Sequence, residues 1–435
     1  MASYSKSILM ALIPSFLKGK KQTKGSCSLV SEKITLELLK SLIPIRNLST
    51  DKLESFALEH KSEVFSAGEK LFSADESDEP AFYLLKGTVS LSDRNGKTYE
   101  VEATEELAKF PLSGGVQHTT TATAVTDVSL LRVSQKIMSI NSEKHQSLEL
   151  TIPDELSHSR LLQSFAQHFI DDELVVPSLP SVAVQLGKAM QKEIGVNEAV
   201  KIIQLDPVIS AKLIEVANCP LYIAISPAKS CFEAVNRIGL NATRSLVISL
   251  SIHNLFKSRS PKIKKRLDRL WKDSLSVSSL CYVLAAVSKQ KKPEEALLAG
   301  LVCDIGVIPF LDFVTNLPAD YCDEKEIDQI IPIVKGAVGA SILEKWGFAE
   351  EFIAVPLLAE EWYHNTEKSL SYADIVTLSK LHKAIGTKNT THLPVITSIP
   401  SASKIKNITL SPENSLSILH DAKDKINDAL KTFSA

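Results

Sequence analysis

Phe82-Tyr83-Leu84-Leu85-Lys86-Gly87-Thr88-Val89-Ser90-Leu91, then Asn95-Gly96, then Tyr99-Glu100-Val101, is the stretch on which the reading of this chain turns. Short apolar or alternating runs are separated by glycine turns, which is the grammar of strands. Asn-Gly between two such runs is a strong hairpin signal, because both residues tolerate the positive φ of a tight turn. The pattern continues outward. Val64-Phe65 and Lys70-Leu71-Phe72 precede it around Ala67-Gly68, and Ser129-Leu130-Leu131-Arg132-Val133 follows beyond Gly114-Gly115. Regularly spaced short strands predict a small barrel or jelly roll.

On either side the period changes. Leu36, Leu38, Leu39, Leu42 and Ile43 before Pro44 read as helix, and Ser49 or Thr50 is placed to cap a second helix through Leu53, Phe56 and Leu58. The polar stretch Asn141 to Gln146 reads as a linker, and beyond Pro177-Ser178-Leu179-Pro180 the strand signals stop. Helical spacing then dominates, as in Val182/Leu186/Met190, Ile209/Leu213/Val216 and Val338/Ile342/Trp346, with Asn218, Gly239 and Gly347 near the ends of such runs. A Thr/Ser/Pro-rich stretch from about 386 leads to an amphipathic helix expected over about 411–432, with Leu416, Ile418, Leu419, Ala422, Ile426 and Leu430 on its apolar stripe.

Length and composition bound the rest. The chain has 435 residues, 49 Lys+Arg against 51 Asp+Glu, a net charge of −2, 44% hydrophobic and 23% charged residues. At roughly 100–200 residues per domain it holds two to four domains, of ordinary globular composition. The charge balance argues against a whole-chain nucleic-acid binder. Six cysteines, Cys27, Cys219, Cys231, Cys281, Cys303 and Cys322, include no CxxC pair and read as free thiols of a reducing compartment. No stretch approaches the ~20 unbroken apolar residues of a membrane helix. Ile8 to Leu17 is apolar, but its basic cluster, Lys18, Lys20, Lys21 and Lys24, follows it, the reverse of a signal peptide, so residues 1–30 read as a tail.

The run Phe65-Ser66-Ala67-Gly68-Glu69-Lys70-Leu71-Phe72, the run Phe82 to Leu91, and the closing segment Ala122 to Val133 together resemble the cyclic nucleotide-binding domain family over about residues 32–142. The resemblance implies a ligand loop in which a Gly-Glu pair meets a ribose and an Arg meets the cyclic phosphate. In Phe110-Pro111-Leu112-Ser113-Gly114-Gly115-Val116-Gln117-His118, the Glu position falls near Leu112 and the Arg position at His118. An anion in a semi-buried pocket needs a cation or convergent N–H donors, so Gly114, Gly115 and His118 are the candidate ligand loop. Otherwise the module is expected to be a scaffold.

Six ordered motifs carry a second resemblance. They are Pro177-Ser178-Leu179-Pro180, Ile203 to Leu213 around Asp206-Pro207, Val216-Ala217-Asn218-Cys219, Ala234 to Leu240, Ala299-Gly300-Leu301-Val302-Cys303-Asp304-Ile305-Gly306, and Val338-Gly339 to Trp346-Gly347. Over about 165–385 the chain resembles the HDOD domain, a non-enzymatic relative of the HD phosphohydrolases found in bacterial signalling proteins. HD chemistry needs a metal-bound water, hence imidazoles and carboxylates converging on one point. The resemblance puts Asp273, Cys303, Asp304, Lys335, Glu360 and Lys380 at the ligand positions. Only Asp304 keeps its residue type, and two lysines would place cations where a metal belongs. Asp304 is expected either to cap a turn or to pair with one of those lysines, and Cys303 to be a core thiol.

One charge asymmetry remains. Lys257, Arg259, Lys262, Lys264, Lys265, Arg266, Arg269 and Lys272 crowd together with Asp268 the only acid among them. Lys262, Lys264, Lys265, Arg266 and Arg269 are the candidate contact surface for an acidic partner or nucleic acid. The competing reading is a solvated helix face with Leu267, Leu270 and Trp271 inward.

The expected architecture is multi-domain α+β. It comprises a tail (1–30), a cyclic nucleotide-binding-like β-barrel or jelly roll (31–142), a linker (143–164), an all-α HD-like HDOD domain (165–385) and a C-terminal extension (386–435). The expected function is a cytoplasmic, non-enzymatic bacterial regulator that uses no cofactor and acts on other signalling proteins, with a homodimer as a further contact. The alternatives are an atypical metal-dependent phosphodiesterase built on Asp273, Asp304 and Glu360, and a sensor of a small anion at the barrel loop.

Overall fold

A computed structural model describes residues 29–406, apart from 78–79, 95, 115–116, 139–149, 151, 175–176, 220–221, 223–225, 259, 319–322, 367 and 386–392. The basic tail, Gly115, Arg259 and the amphipathic stretch 411–432 lie outside the described residues.

Helices α1 (Leu36–Ser41) and α2 (Thr50–Glu59) lead into seven strands: β1 Glu63–Phe65, β2 Lys70–Phe72, β3 Pro80–Lys86, β4 Thr88–Ser92, β5 Thr98–Glu102, β6 Thr121–Ala124 and β7 Val128–Ser134. Helix α3 (Gln135–Met138) follows. The expected hairpin is present. β4 and β5 pair from Thr88↔Glu102 to Ser92↔Thr98, and the turn closes through Asp93, whose N–H donates to the Lys97 carbonyl at 2.9 Å. Gly96 takes the positive φ of 78° that the turn requires.

The strands do not close a barrel. They form two antiparallel sheets, one in the order β1-β7-β3 and one in the order β2-β6-β4-β5. The second sheet has one inner face, so β4 alternates between buried and half-buried. The first is buried on both faces. Phe82, Leu84, Val128 and Leu130 enter the core between the sheets, and Ala81, Tyr83, Leu131 and Val133 enter a second core on the helical side. That is why β3 and β7 read as near-continuous apolar runs while β4 and β6 alternate.

The helical region comprises α4 Arg160–Ile170, α5 Ser181–Met190, α6 Val196–Ile203, α7 Pro207–Ala217, α8 Cys231–Ile238, α9 Leu240–Ile252, α10 Pro261–Ser288, α11 Pro293–Val302, α12 Val307–Thr315, α13 Glu324–Lys345, α14 Glu350–Leu358, α15 Tyr372–Ile385 and α16 Pro400–Lys404. Several motif residues prove to be helix punctuation. Asp206 caps α7, its carboxylate accepting from the N–H groups of Val208 and Ile209, with Pro207 opening the helix. Asn218 clamps the chain by pairing both side-chain atoms with the backbone of Ala228 at 2.7 and 2.9 Å. The Trp346 indole donates to the Pro177 carbonyl at 2.9 Å, tying the first motif to the last.

Two helical cores meet on α10. Ile263, Leu267, Trp271 and Leu275 pack in the first, with α4 to α9, α12 and α13. Val277, Cys281, Leu284 and Ala285 pack in the second, with α11, α15, α1, α2 and the inner sheet. Ile396, Ile399, Ala402 and Ile405 belong to that second core. Segment 393–406 is therefore a strap between the sheets and the helices. Thr397 meets Tyr99 Oη at 3.3 Å, and its carbonyl accepts from Thr119 Oγ1 at 2.6 Å.

Pro293–Thr315 is long and apolar enough by mean hydropathy to cross a membrane, although Glu294, Glu295, Asp304 and Asp312 interrupt it, as the sequence expectation of no unbroken apolar span requires. It folds as the core helices α11 and α12 around the turn that carries Asp304, and 78% of its apolar window is buried inside the protein.

Candidate functional site

Glycine geometry sets the site's dimensions. In the turn between α11 and α12, a Cβ on Gly306 would come within 2.1 Å of the Lys335 carbonyl, and within α11 itself one on Gly300 would come within 2.5 Å of Ser278 Cα. Only glycine lets the turn press against α13 and α11 against α10. Asp304 is thereby brought beside Lys335 of α13, Lys380 of α15 and Glu360 just after α14.

The four side chains close a ring of alternating charge. Lys380 Nζ donates to Asp304 Oδ1 at 2.7 Å and to Glu360 Oε1 at 2.8 Å. Lys335 Nζ lies 3.1 Å from the same Asp304 oxygen and 2.6 Å from the same Glu360 oxygen. The Lys380 side chain is 8% exposed and that of Asp304 15%, whereas Glu360 opens to solvent at 44%. Burial pushes the Asp304 carboxyl up, but the Lys380 and Lys335 ammoniums more than reverse this and hold it well below the usual carboxylate range. Glu360 is lowered by the same balance, burial against the two lysines. Burial disfavours the Lys380 ammonium, yet Asp304, Cys303 and Glu360 raise its pKa well above the ordinary lysine value.

Of the other two candidates, Asp273 stands apart, while Cys303 borders the ring with its Sγ 3.7 Å from Asp304 Oδ2. Asp273 pairs with Lys383 at 2.5 Å. Cys303 is fully buried, and its thiol donates to the Gly300 carbonyl at 3.2 Å. Burial, then the neighbouring Asp304, push that thiol upward, which makes it an inert core group.

A metal does not fit these residues. The oxygens that face the centre already accept from two ammoniums each, and a divalent ion would sit against two positive charges. Among the described residues, no group of three or more His, Cys, Asp or Glu converges.

The candidate loop of the sheet region faces inward. His118 is fully buried, bonds Ser113 Oγ and stacks on Phe72 with ring centroids 4.2 Å apart. Gly114 lies against the strap, where a Cβ would come within 2.7 Å of the Ser398 carbonyl. Of the basic candidates, Lys262, Lys264, Lys265 and Arg269 are exposed on α10, while Arg266 is half-buried and pairs with Asp328 at 2.5 Å.

A second buried polar cluster was not anticipated from sequence. Ser371 and Asp374 cap α15 reciprocally: Ser371 N–H donates to Asp374 Oδ2 at 2.9 Å, and Asp374 N–H to Ser371 Oγ at 3.1 Å. Lys404 of the strap donates to Asp374 Oδ1 at 2.9 Å, and Ser401 Oγ to the same atom at 2.7 Å. His364, fully buried, places Nε2 3.2 Å from Thr377 Oγ1. The signal for the cap was Ser371-Tyr372-Ala373-Asp374 before an apolar run; nothing in the sequence linked it to Lys404.

Burial pushes His364 down to about 4, with Asp374 opposing, and burial alone does the same to His382. Between pH 6.5 and 4 the unfolded chain therefore binds protons that the folded chain refuses, so stability falls with pH across that window. A shift of that size is on the order of 3 kcal/mol for His364 at its acid end. Urea midpoints should drop steadily between pH 6.5 and 4, and His364→Gln should flatten the drop; an unchanged slope in that variant contradicts the assignment.

A family model for the HDOD domain matches residues 176–361. A crystal structure from Shewanella amazonensis SB2B, provisionally named a metal-dependent phosphohydrolase, is 25% identical, covers 61% of this chain and 98% of its own, and superposes with a TM-score of 0.51. A cyclic nucleotide-binding-like protein from Brucella abortus is 22% identical over 23% of this chain and 91% of its own, with a TM-score of 0.19. An uncharacterized protein of Treponema pallidum is 23% identical over 206 residues, 45% of this chain, and the match spans only 39% of that relative's length. The motifs and the family match agree in placing the likeness to the HDOD domain at residues 176–361.

Proposed function

We infer that this chain is a non-enzymatic regulatory protein whose HDOD domain acts through contacts with other proteins. The observation that carries the reading is the closed ring of Asp304, Lys335, Glu360 and Lys380. Hydrolysis of a phosphate ester by a metal-bound hydroxide needs carboxylates and imidazoles free to bind the ion. Here two lysines neutralise both carboxylates, and the ring ties the α11–α12 turn, α13, α14 and α15 together as a structural fastener.

The competing reading is a metal-dependent phosphohydrolase, favoured by the name and fold of the Shewanella protein. The test takes the full chain dialysed against Mn²⁺ and then assayed on bis(p-nitrophenyl) phosphate and on cyclic dinucleotides. The regulatory reading expects no turnover above buffer and no stoichiometric manganese by elemental analysis. Turnover that Asp304→Ala abolishes overturns it.

A further inference from the structure

We propose that the exposed face of the first three turns of α10, together with the groove beside it, binds an acidic amphipathic segment of a partner protein. Lys262, Lys264, Lys265, Arg269 and Lys272 are all exposed there, while Ile263, Leu267 and Trp271 are buried. At 3.6 residues per turn, Lys262, Lys265, Arg269 and Lys272 fall on one stripe about 15 Å long, opposite the buried one.

These five cations have no acidic partner among the described residues. Some cations elsewhere are matched, as Lys291 with Glu351, Lys345 with Asp172, Lys383 with Asp273 and Lys404 with Asp374, and what sets the stripe apart is that its unmatched cations are crowded within eleven residues. The stripe also has a local cost. The first turn of α10 contains no acid, so like charges repel one another beside the positive end of the helix dipole. Sequences break local rules in this way where function requires it.

The groove supplies the second half of the argument. It encloses about 260 Å³ between the start of α10, the end of α12 and the start of α13. Lys262, Arg266 and Glu324 line it, Arg266 being paired with Glu324 and Asp328, and Ile263, Val314, Leu317 and Ile327 contribute apolar surface. A nucleic-acid backbone has charge for the stripe but no side chain for an apolar groove, and the aromatic among the basic residues, Trp271, is buried and cannot stack on a base. A helix with carboxylates at three- and four-residue spacing and one apolar anchor fits both parts.

The inference rests on the regulatory reading only in taking a protein as the partner. Turnover tests that reading and peptide binding tests this one, so either fails alone. The probe is a fluorescein-labelled 15-residue synthetic peptide with Glu on one helical face and Leu on the other. The full chain is titrated by anisotropy at 50 and 300 mM NaCl. The peptide should bind at low salt and weaken at least tenfold at high salt. Lys265→Glu/Lys272→Glu, both on the solvent face and harmless to folding, should cost at least tenfold. Changing the probe's leucines to serine, or Leu317→Ser in the protein, should each cost severalfold. Any one of these results overturns the proposal: no binding at 50 mM, indifference to the charge reversal, indifference to the loss of leucine, or equal or tighter binding of a 15-base-pair DNA duplex.

Discussion

Replacing Lys380 with methionine is expected to lower the unfolding free energy by about 3–5 kcal/mol, the cost of stranding a buried charge when its partner is removed. Methionine keeps the length and apolar character of the stem, with sulfur in place of one methylene, and lacks the ammonium. Asp304 then keeps Lys335 at 3.1 Å and loses its closer donor at 2.7 Å. Glu360 is the smaller part of the loss, because its side chain is 44% exposed and water screens it. The deficit should depend on pH in a stated direction. Asp304 has a depressed pKa in the native chain, so its contribution is present above the unfolded value near 4 and is lost as pH falls through the folded value. The difference between native protein and Lys380→Met, read from urea unfolding, should therefore be largest at pH 7 and shrink below pH 4. Adding Asp304→Asn to Lys380→Met should recover part of the loss, since an amide tolerates the vacated site better than a carboxylate. A deficit under 1 kcal/mol at pH 7, or no recovery in the double variant, contradicts the fastener assigned to the ring.

The positions of that ring were legible, and its closure was not. The family resemblance put Lys335, Glu360 and Lys380 at ligand positions together with Asp304, but pairing Asp304 with both lysines at once requires the backbone approach that Gly306 permits. Asp273 shows the limit from the other side: its residue type suits a metal site, and Lys383, three residues beyond Lys380, takes it away from the centre. In the sheet region the period of two gave the strands and the Asn95-Gly96 hairpin. An open pair of sheets instead of a closed barrel depends on which strands hydrogen-bond, as in β1 pairing with β7, and no local pattern encodes that. Leu393 to Lys406 fell within the Thr/Ser/Pro-rich stretch of the C-terminal extension, although as many apolar residues as serines, threonines and prolines stand in it. Its apolar residues recur at three-residue steps, Ile396, Ile399, Ala402 and Ile405, and only the second core explains them.

That strap carries the other large effect. Lys404→Met should cost about 3–5 kcal/mol, because Asp374 is fully buried and Lys404 is the cation bonded to it. Burial pushes the Asp374 carboxyl up, and His364 and Lys404 with their neighbouring hydrogen bonds hold it below its ordinary value. Removing the ammonium leaves Ser371 and Ser401 as donors, which solvate the charge without neutralising it. The penalty should again shrink as pH falls below about 4, where the unfolded carboxylate takes up its proton. Location distinguishes this variant from Lys380→Met. The strap touches Tyr99, Thr119 and Gly114 of the sheet region and the start of α15. Loosening it should speed amide exchange in 393–406 and in the loop around Gly114 by at least a hundredfold, while α4 to α9, which pack in the other core, keep their protection. Thr397→Ala, which removes one side-chain hydroxyl at the same seam, should cost only about 1 kcal/mol. Lys404→Met/Asp374→Asn should restore part of the stability, since the remaining amide and serines need no cation. Exchange that rises evenly over the whole chain would refute the strap as a local fastener. Exchange confined to 400–406 would show that the sheets and helices are held together without it.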